Sequence, residues 1–153
     1  MSRHSDALKT QLTDTLRQAS AQSLLISQAV AAQVGLHTTD LECLDILQIQ
    51  GKASAGDLAR RTGLSTGAVT ALLDRLEKAG YVERLADPTD RRRVLAVPRP
   101  EAMGRLFQIY APLRARMEAL YEDYDDEQMA LIIQFMARAH AVSIEFVAAL
   151  RGR

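Results

Sequence analysis

The chain has 153 residues, of which 48% are hydrophobic, and this is enough to form one globular domain or two small lobes. A single cysteine excludes an intramolecular disulfide, and the absence of a signal-peptide pattern or an apolar run of about eighteen residues predicts a cytoplasmic protein without a membrane span. The formal net charge is +0, but residues 51–99 hold ten Lys or Arg against six Asp or Glu, so a basic excess is confined to this segment.

A long first helix is predicted over residues 5–34, with Gly35 as its end. Apolar and small residues recur every three or four positions and form a stripe about seven turns long. The stripe consists of Leu8, Leu12, Leu16, Ala19, Ser23, Ile26 and Val30. One small lobe cannot bury so long a stripe, so we expect a partner helix from a second chain, although a bundle within one chain would also cover it.

The next helix is predicted to begin at a capping box formed by Thr39 and Glu42 and to end at Gly51. Three leucines of this helix would face a core: Leu41, Leu44 and Leu47. Cys43 has acidic rather than basic neighbours in sequence, so nothing local would lower the pKa of its thiol. We therefore expect a buried, apolar cysteine and not a redox sensor.

Two short helices joined by a tight turn are predicted between residues 54 and 80. Ser54, with an aspartate three residues later, is a plausible N-cap for the first helix. Gly63 follows this helix, at a position where a left-handed C-cap favours glycine. Ser65 would cap the second helix, which runs from about Thr66 to Ala79 and is closed by Gly80.

The second of these helices has one apolar face and one face of small residues. The apolar face consists of Val69, Leu72, Leu73 and Leu76. The first turns of the opposite face carry only small or hydroxylated side chains, and Arg75 flanks them. These small residues are Ser65, Thr66, Gly67, Ala68, Thr70 and Ala71. A B-DNA major groove about 12 Å wide admits such a helix, and the free N–H groups of its first turn favour phosphate.

A two-stranded wing is predicted after Gly80, with a charged turn that contains Asp87, Pro88 and Asp90. Three consecutive arginines open the second strand: Arg91, Arg92 and Arg93. Arginines in this position can contact phosphates or enter a narrow minor groove. A solvated charged hairpin would have the same composition, but the neighbouring pair of helices favours contact with nucleic acid.

Two further helices complete the predicted chain, one from about Glu101 to Asp123 and one from the cap Asp125 to about Leu150. Pro112 lies within the first and is expected to kink or break it. The last helix is apolar nearly all round, which indicates burial on several sides. In a chain this small, burial of both terminal helices predicts an obligate dimer.

The runs LSTGAVTALLDRLEKAGYVER and DPTDRRRVL resemble the winged helix-turn-helix of the MarR family (multiple antibiotic resistance regulators). The resemblance implies a mainly α fold with a small two- or three-stranded β wing, in which Asp90 and Arg92 are the acid and the arginine of the wing motif. It further implies that residues 1–153 form a single unit. In that unit, residues 36–99 are the DNA-binding lobe, and residues 5–34 and 101–150 are a helical dimerisation lobe.

No catalytic, cofactor or metal site is predicted. The three histidines lie far apart, and neither an H-E-x-x-H pair nor a G-x-G-x-x-G loop is present. The sequence therefore does not favour an enzyme.

The resemblance predicts a sequence-specific regulator of transcription, most often a repressor in this family, that binds double-stranded DNA as a homodimer. Its operator would be pseudo-palindromic, with half-sites about 34 Å apart. The predicted DNA-contact residues are Ser54, Ser65, Thr66, Gly67, Ala68, Thr70, Ala71, Arg75, Asp90, Arg91, Arg92 and Arg93. The alternative function is a winged-helix module that binds protein and leaves DNA alone; such a module would be expected to lose the basic wing.

The resemblance also implies a cleft for a small-molecule effector between the dimerisation helices and the winged lobe. His37, Tyr110 and Arg114 are the candidates for lining it, with an ordinary core residue as the alternative for Tyr110 and a surface charge for Arg114. An effector would weaken operator binding only if it preferred the non-binding state of the dimer.

Overall fold

The computed structural model describes residues 3–90 and 92–152, with side chains from residue 6 onward. The chain divides into two compact units, Met1–Leu106 and Phe107–Arg153. The described elements in chain order are α1 (Arg3–Val34), α2 (Thr38–Gln50), β1 (Ala53–Ser54), α3 (Ala55–Thr62), α4 (Thr66–Lys78), β2 (Val82–Ala86), β3 (Val94–Pro98), α5 (Pro100–Tyr121) and α6 (Asp126–Arg151). The predicted fold class, mainly α with a small β wing, is confirmed.

The wing is a three-stranded antiparallel sheet with the strand order β1-β3-β2. β2 and β3 form the hairpin predicted from sequence, in which Leu85 faces Leu95. The third strand is the short β1, which pairs Ala53 with Ala96 just before α3 begins. Through β1 the sheet is joined directly to the start of the helix-turn-helix.

The core of the first unit lies between α2, α3, α4 and the sheet. Its largest fully buried apolar side chains are Leu44, Leu47, Leu58, Val69, Leu72, Leu76 and Val82. Each such side chain contributes roughly 1.5–3 kcal/mol when it is removed from water. The predicted apolar face of α4 is thus confirmed, and its burial fixes which face of the helix remains exposed.

The predicted ends of α3 and α4 are largely confirmed. Ser54 and Asp57 form a reciprocal capping box at the start of α3, and Gly63 ends that helix in the left-handed conformation at φ 73°. The Ser65 hydroxyl accepts a hydrogen bond from the Ala68 N–H at the start of α4. α4 ends at Lys78, one residue before the predicted end.

The predicted start of α2 is wrong. The helix begins at Thr38, and the Asp40 carboxylate, not Glu42, accepts the backbone N–H that precedes the helix, that of His37, at 3.0 Å. Asp40 replaces Glu42 in this role because its side chain is only 1% exposed and is held in place by a second partner, Arg75. This tertiary contact cannot be seen in the local sequence pattern.

Cys43 is fully buried among the leucines of α2, as predicted. Burial, together with the smaller effects of the Asp40 and Glu42 carboxylates, raises the pKa of the thiol to about 11. The thiolate is the reactive form, and the raised pKa keeps the thiol protonated near neutral pH. Cys43 therefore acts as a packed apolar side chain in the folded protein.

Of the two expected effects of Pro112, a kink or a break, the break does not occur, since α5 continues through it from Pro100 to Tyr121. A proline ring disturbs the carbonyl groups of the preceding turn and removes one donor. The Arg114 guanidinium donates a hydrogen bond to one of those carbonyls, that of Phe107, at 3.3 Å. The carbonyl that loses its backbone donor is that of Gln108, four residues before Pro112, so this side-chain bond lies next to the missing backbone bond and does not replace it.

α6 begins at the predicted cap: Asp125 and Gln128 exchange side-chain-to-backbone hydrogen bonds of 2.8 and 3.0 Å. None of its residues is buried. The exposed large apolar side chains are Leu131, Ile132, Ile133, Phe135, Met136, Val142, Ile144, Phe146, Val147 and Leu150. α6 therefore presents apolar surface of the extent that marks an interaction site.

By length and composition alone, α6 is also apolar enough to cross a membrane, with a hydropathy of 1.4 in its most apolar stretch. No membrane span is predicted from sequence because α6 contains no uninterrupted apolar run of about eighteen residues. The mean hydropathy remains high although two charged residues, Arg138 and Glu145, lie within the helix. Buried core helices of soluble proteins and signal sequences meet the same criterion.

α1 also exposes apolar side chains over most of its length. Leu8 and Leu12 of the predicted stripe are exposed, as are Leu24 and Leu25 beside it. Val30 is buried at the C-terminal end, where α1 packs on α2. Within the described residues of the first unit, most of the stripe is uncovered.

Candidate nucleic-acid interface

The first two turns of α4 form an exposed surface of small side chains. We call Ser65, Thr66, Gly67, Ala68, Thr70 and Ala71 the reading surface. All six are exposed, whereas Val69 between them is fully buried. The surface is held in place by the core on its opposite side and by the Ser65 cap.

The reading surface can approach another molecule closely because no long side chain covers it. The Thr70 hydroxyl donates a hydrogen bond to the Thr66 carbonyl at 2.9 Å, which leaves its oxygen able to accept and its methyl group exposed. The first turn of α4 also carries the positive end of the helix dipole, and no acidic side chain of that turn offsets this charge. These features suit an anionic partner with a groove.

Arg75 lies one turn beyond the reading surface but is already engaged. Its Nη2 atom donates to Oδ1 of Asp40 at 2.7 Å, and its side chain is 45% exposed. The contact joins the start of α2 to the last turn of α4. Arg75 is predicted from sequence to contact DNA, and its partner Asp40, which is 35 residues away, is not predicted.

Arg84, which is not among the residues predicted from sequence, joins the wing to α4. Arg84 of β2 donates to Asp74 at 2.6 Å and to the Thr70 carbonyl at 3.3 Å, and its guanidinium lies 3.7 Å from Glu77. It thereby offsets the two acidic residues on the exposed side of α4, which would otherwise repel phosphate. The sequence signal is weak, because only the fold brings this strand against the helix.

The wing loop is shaped by two aspartates. Asp87 accepts hydrogen bonds from the Thr89 hydroxyl at 2.7 Å and from the Thr89 N–H at 2.9 Å, and these bonds lower the pKa of the Asp87 carboxyl. Asp90 accepts the Arg92 N–H at 3.0 Å. Asp90 therefore has a local structural role in the turn, and its assignment as the acid of the wing motif stays a prediction.

The arginines of the wing differ in their surroundings. Arg92 is exposed, and its side chain makes no ion pair or hydrogen bond within residues 3–90 and 92–152. Arg93 is directed toward α3, where it donates to Asp57 at 2.8 Å and to the Ser54 hydroxyl at 3.3 Å. Arg91 lies outside the described residues.

The predicted DNA-contact residues thus fall into two groups. The reading surface and Arg92 are exposed. Four others make side-chain contacts within the first unit, and of these Arg75, Asp90 and Arg93 are exposed as well: Ser54, Arg75, Asp90 and Arg93.

The predicted effector residues are described within their own units. His37, in the first unit, precedes α2 and is exposed. In the second unit, Tyr110 is half-buried on α5, and the Arg114 guanidinium carbon lies 4.0 Å from the centre of the Phe107 ring. Arg114 is therefore a stacked side chain that also supports the helix beside Pro112.

Comparison with known proteins places this geometry in a family. Residues 36–94 match the model of the MarR family. The chain is 45% identical over 123 residues to the uncharacterized HTH-type transcriptional regulator YcgE of Bacillus subtilis (strain 168), covering 80% of both chains.

Solved structures agree on the fold. A MarR family protein from Bacillus stearothermophilus superimposes with a TM-score of 0.69 at 18% identity, covering 94% of this chain and 99% of that one. NadR, in complex with 4-hydroxyphenylacetate, gives 0.62 at 26% identity, covering 84% and 91%. The chain belongs to the MarR family of HTH-type transcriptional regulators, which bind DNA and are not enzymes.

Proposed function

We propose that this regulator binds a pseudo-palindromic operator in double-stranded DNA as a homodimer and represses transcription there. The observation that carries the proposal is the exposed reading surface of α4, in the same unit as a wing on which Arg92 is exposed. The alternative, a winged helix that binds only protein, is less favoured because the wing keeps its basic residues.

In this proposal α4 enters the major groove with the reading surface against base edges. Ser65, Thr66 and Thr70 supply hydroxyl groups, which can donate to or accept from base edges, and Gly67, Ala68 and Ala71 allow close approach and contact with thymine methyl groups. Arg92 contacts phosphate or the minor groove beside this site. Contact by Arg91 stays a prediction.

The homodimer is supported by the exposed apolar surfaces of α1 and α6. Neither helix buries its apolar side chains within its own unit, apart from the C-terminal end of α1. A second copy of the chain offers the same surfaces, so two copies can cover one another symmetrically. We therefore propose residues 5–34 and 101–150 as the dimerisation lobe, residues 36–99 as the DNA-binding lobe, and the cytoplasm as the place of action.

Repression follows from occupancy, because a dimer that spans two half-sites covers DNA that the transcription machinery needs. A small-molecule effector stays a prediction for this chain. The crystal structure of NadR in complex with 4-hydroxyphenylacetate supports this prediction, because NadR is similar in structure to this chain.

Replacing Arg92 by alanine tests the wing contact. We expect weaker binding to all DNA sequences and a slope of log K against log salt that is smaller by roughly two units per bound dimer, because one phosphate contact is lost in each protomer. The melting temperature should hardly change, since the Arg92 side chain is exposed. Fluorescence anisotropy at several salt concentrations measures both affinity and slope.

The matched control is Arg116→Ala, which removes the same charge from an exposed site on α5. It should leave the slope unchanged. An Arg92 variant with unaltered affinity and a lowered melting temperature would instead make Arg92 a structural residue of the wing and would contradict its role in DNA contact.

A further inference from the structure

We infer that Arg93 is a positioning residue that fixes the wing to the start of α3, and that it does not contact DNA phosphate. The inference rests on the proposed DNA-binding function and divides the run of arginines by role: Arg92 binds, and Arg93 holds the wing in place so that Arg92 can bind.

The geometry places one guanidinium between two carboxylates from different segments. Arg93 Nη2 lies 2.8 Å from Asp57 Oδ2 and 3.3 Å from the Ser54 hydroxyl, while Nη1 lies 4.0 Å from Asp87 Oδ2. Asp57 and Ser54 belong to the start of α3, and Asp87 belongs to the wing loop. We call Ser54, Asp57, Asp87 and Arg93 the Arg93 cluster.

The side chains that accept hydrogen bonds from Arg93, those of Asp57 and Ser54, are held in place by other contacts. Asp57 accepts the Ser54 hydroxyl at 2.6 Å and the Ser54 N–H at 3.1 Å, and its other oxygen is bound by Arg60. These bonds, and the charges of Arg93 and Arg60, lower the pKa of the Asp57 carboxyl. Because Asp57 is held by its capping box, pairing with Arg93 restricts few additional degrees of freedom.

The backbone of Arg93 is fixed as well. Its N–H donates to the Asp90 carbonyl and its own carbonyl accepts the Asp87 N–H, both at 2.9 Å. The side chain and the backbone of one residue therefore join the wing loop to α3. Loss of the side chain should leave the three-stranded sheet bonded, including β1 beside α3, but should loosen the wing loop relative to the helix.

The charge balance argues against phosphate contact by Arg93. The cluster and Arg60 together hold two carboxylates and two guanidinium groups, so no positive charge remains in excess. A phosphate would have to displace a carboxylate from Arg93, whereas the Arg92 side chain, exposed at the same loop, needs no such exchange. A wing that is already ordered also reduces the entropy lost on binding.

Hydrogen exchange of the free protein and DNA binding together test the inference in Arg93→Ala. We expect faster exchange confined to wing amides and an affinity for operator DNA roughly tenfold lower, with an unchanged salt slope because no phosphate contact is lost. Arg92→Ala is the matched comparison, with unchanged wing exchange and a smaller slope. In Asp57→Asn, the further effect of Arg93→Ala should be much reduced, because the two residues act through one contact.

Two results would overturn the inference: an Arg93→Ala slope that falls as in Arg92→Ala, or wing exchange that stays at the wild-type rate. The exchange experiment uses no DNA. Failure of the wild-type chain to bind DNA would therefore contradict the proposed function without affecting the test of the wing contact.

Discussion

Replacing Ala71 by glutamate is expected to abolish specific operator binding while leaving the fold intact. Ala71 is exposed on the reading surface, and α4 is secured by the buried face that includes Leu72. A carboxylate in the groove would be juxtaposed with DNA phosphates, and like charges at an interface cost several kcal/mol. We therefore expect affinity to fall by about 100-fold or more.

Two variants separate the causes of this loss. Ala71→Gln has the same size without the charge and should lose less affinity than Ala71→Glu. Gln48→Glu makes the same change of net charge at an exposed site on α2 and should bind nearly as well as the wild type. Anisotropy titrations measure affinity, and circular dichroism verifies the fold. If Ala71→Glu binds DNA as tightly as the wild type, the proposal that α4 enters the major groove is wrong.

Replacing Arg75 by alanine is expected to have the largest effect on stability. Asp40 is only 1% exposed, and its partner Arg75 donates to it at 2.7 Å, so the variant leaves a carboxylate without its counter-charge. Breaking a buried ion pair costs about 3–5 kcal/mol, and because Arg75 is partly exposed we expect about 2 kcal/mol. Urea unfolding at a fixed protein concentration measures the change.

Arg60→Ala is the control for this experiment. Arg60 also forms an ion pair, with Asp57, but its side chain is 74% exposed, so its removal should cost less than about 1 kcal/mol. If Arg75→Ala is as stable as the wild type but binds DNA with a smaller salt slope, Arg75 contacts DNA as the sequence analysis predicted, and the structural role argued from Asp40 is wrong.

The sequence predicted those parts of the fold that local patterns determine. Ser54 and Ser65 cap their helices as expected, and Gly63 ends α3, because these positions depend on hydrogen bonds within three or four residues. The buried face of α4 followed from its 3.6-residue period. The exposed reading surface follows as the other side of the same helix.

The partners of the arginines could not be predicted. Arg75, Arg84 and Arg93 each donate a hydrogen bond to an acidic residue that is between 10 and 36 residues distant in sequence. A basic segment read without tertiary contacts offers every arginine to DNA, whereas the folded lobe uses these three internally. The wrong start of α2 has the same origin, because Asp40 caps the helix where it meets Arg75.

The most direct test of DNA recognition is an anisotropy titration of labelled fragments, including the region upstream of the protein's own gene, at two salt concentrations. We predict tight, salt-dependent binding of two protomers to one pseudo-palindromic fragment in preference to random DNA. Binding no better than that to random DNA, on every fragment and at low salt, would contradict the account and favour the winged helix as a protein-interaction module.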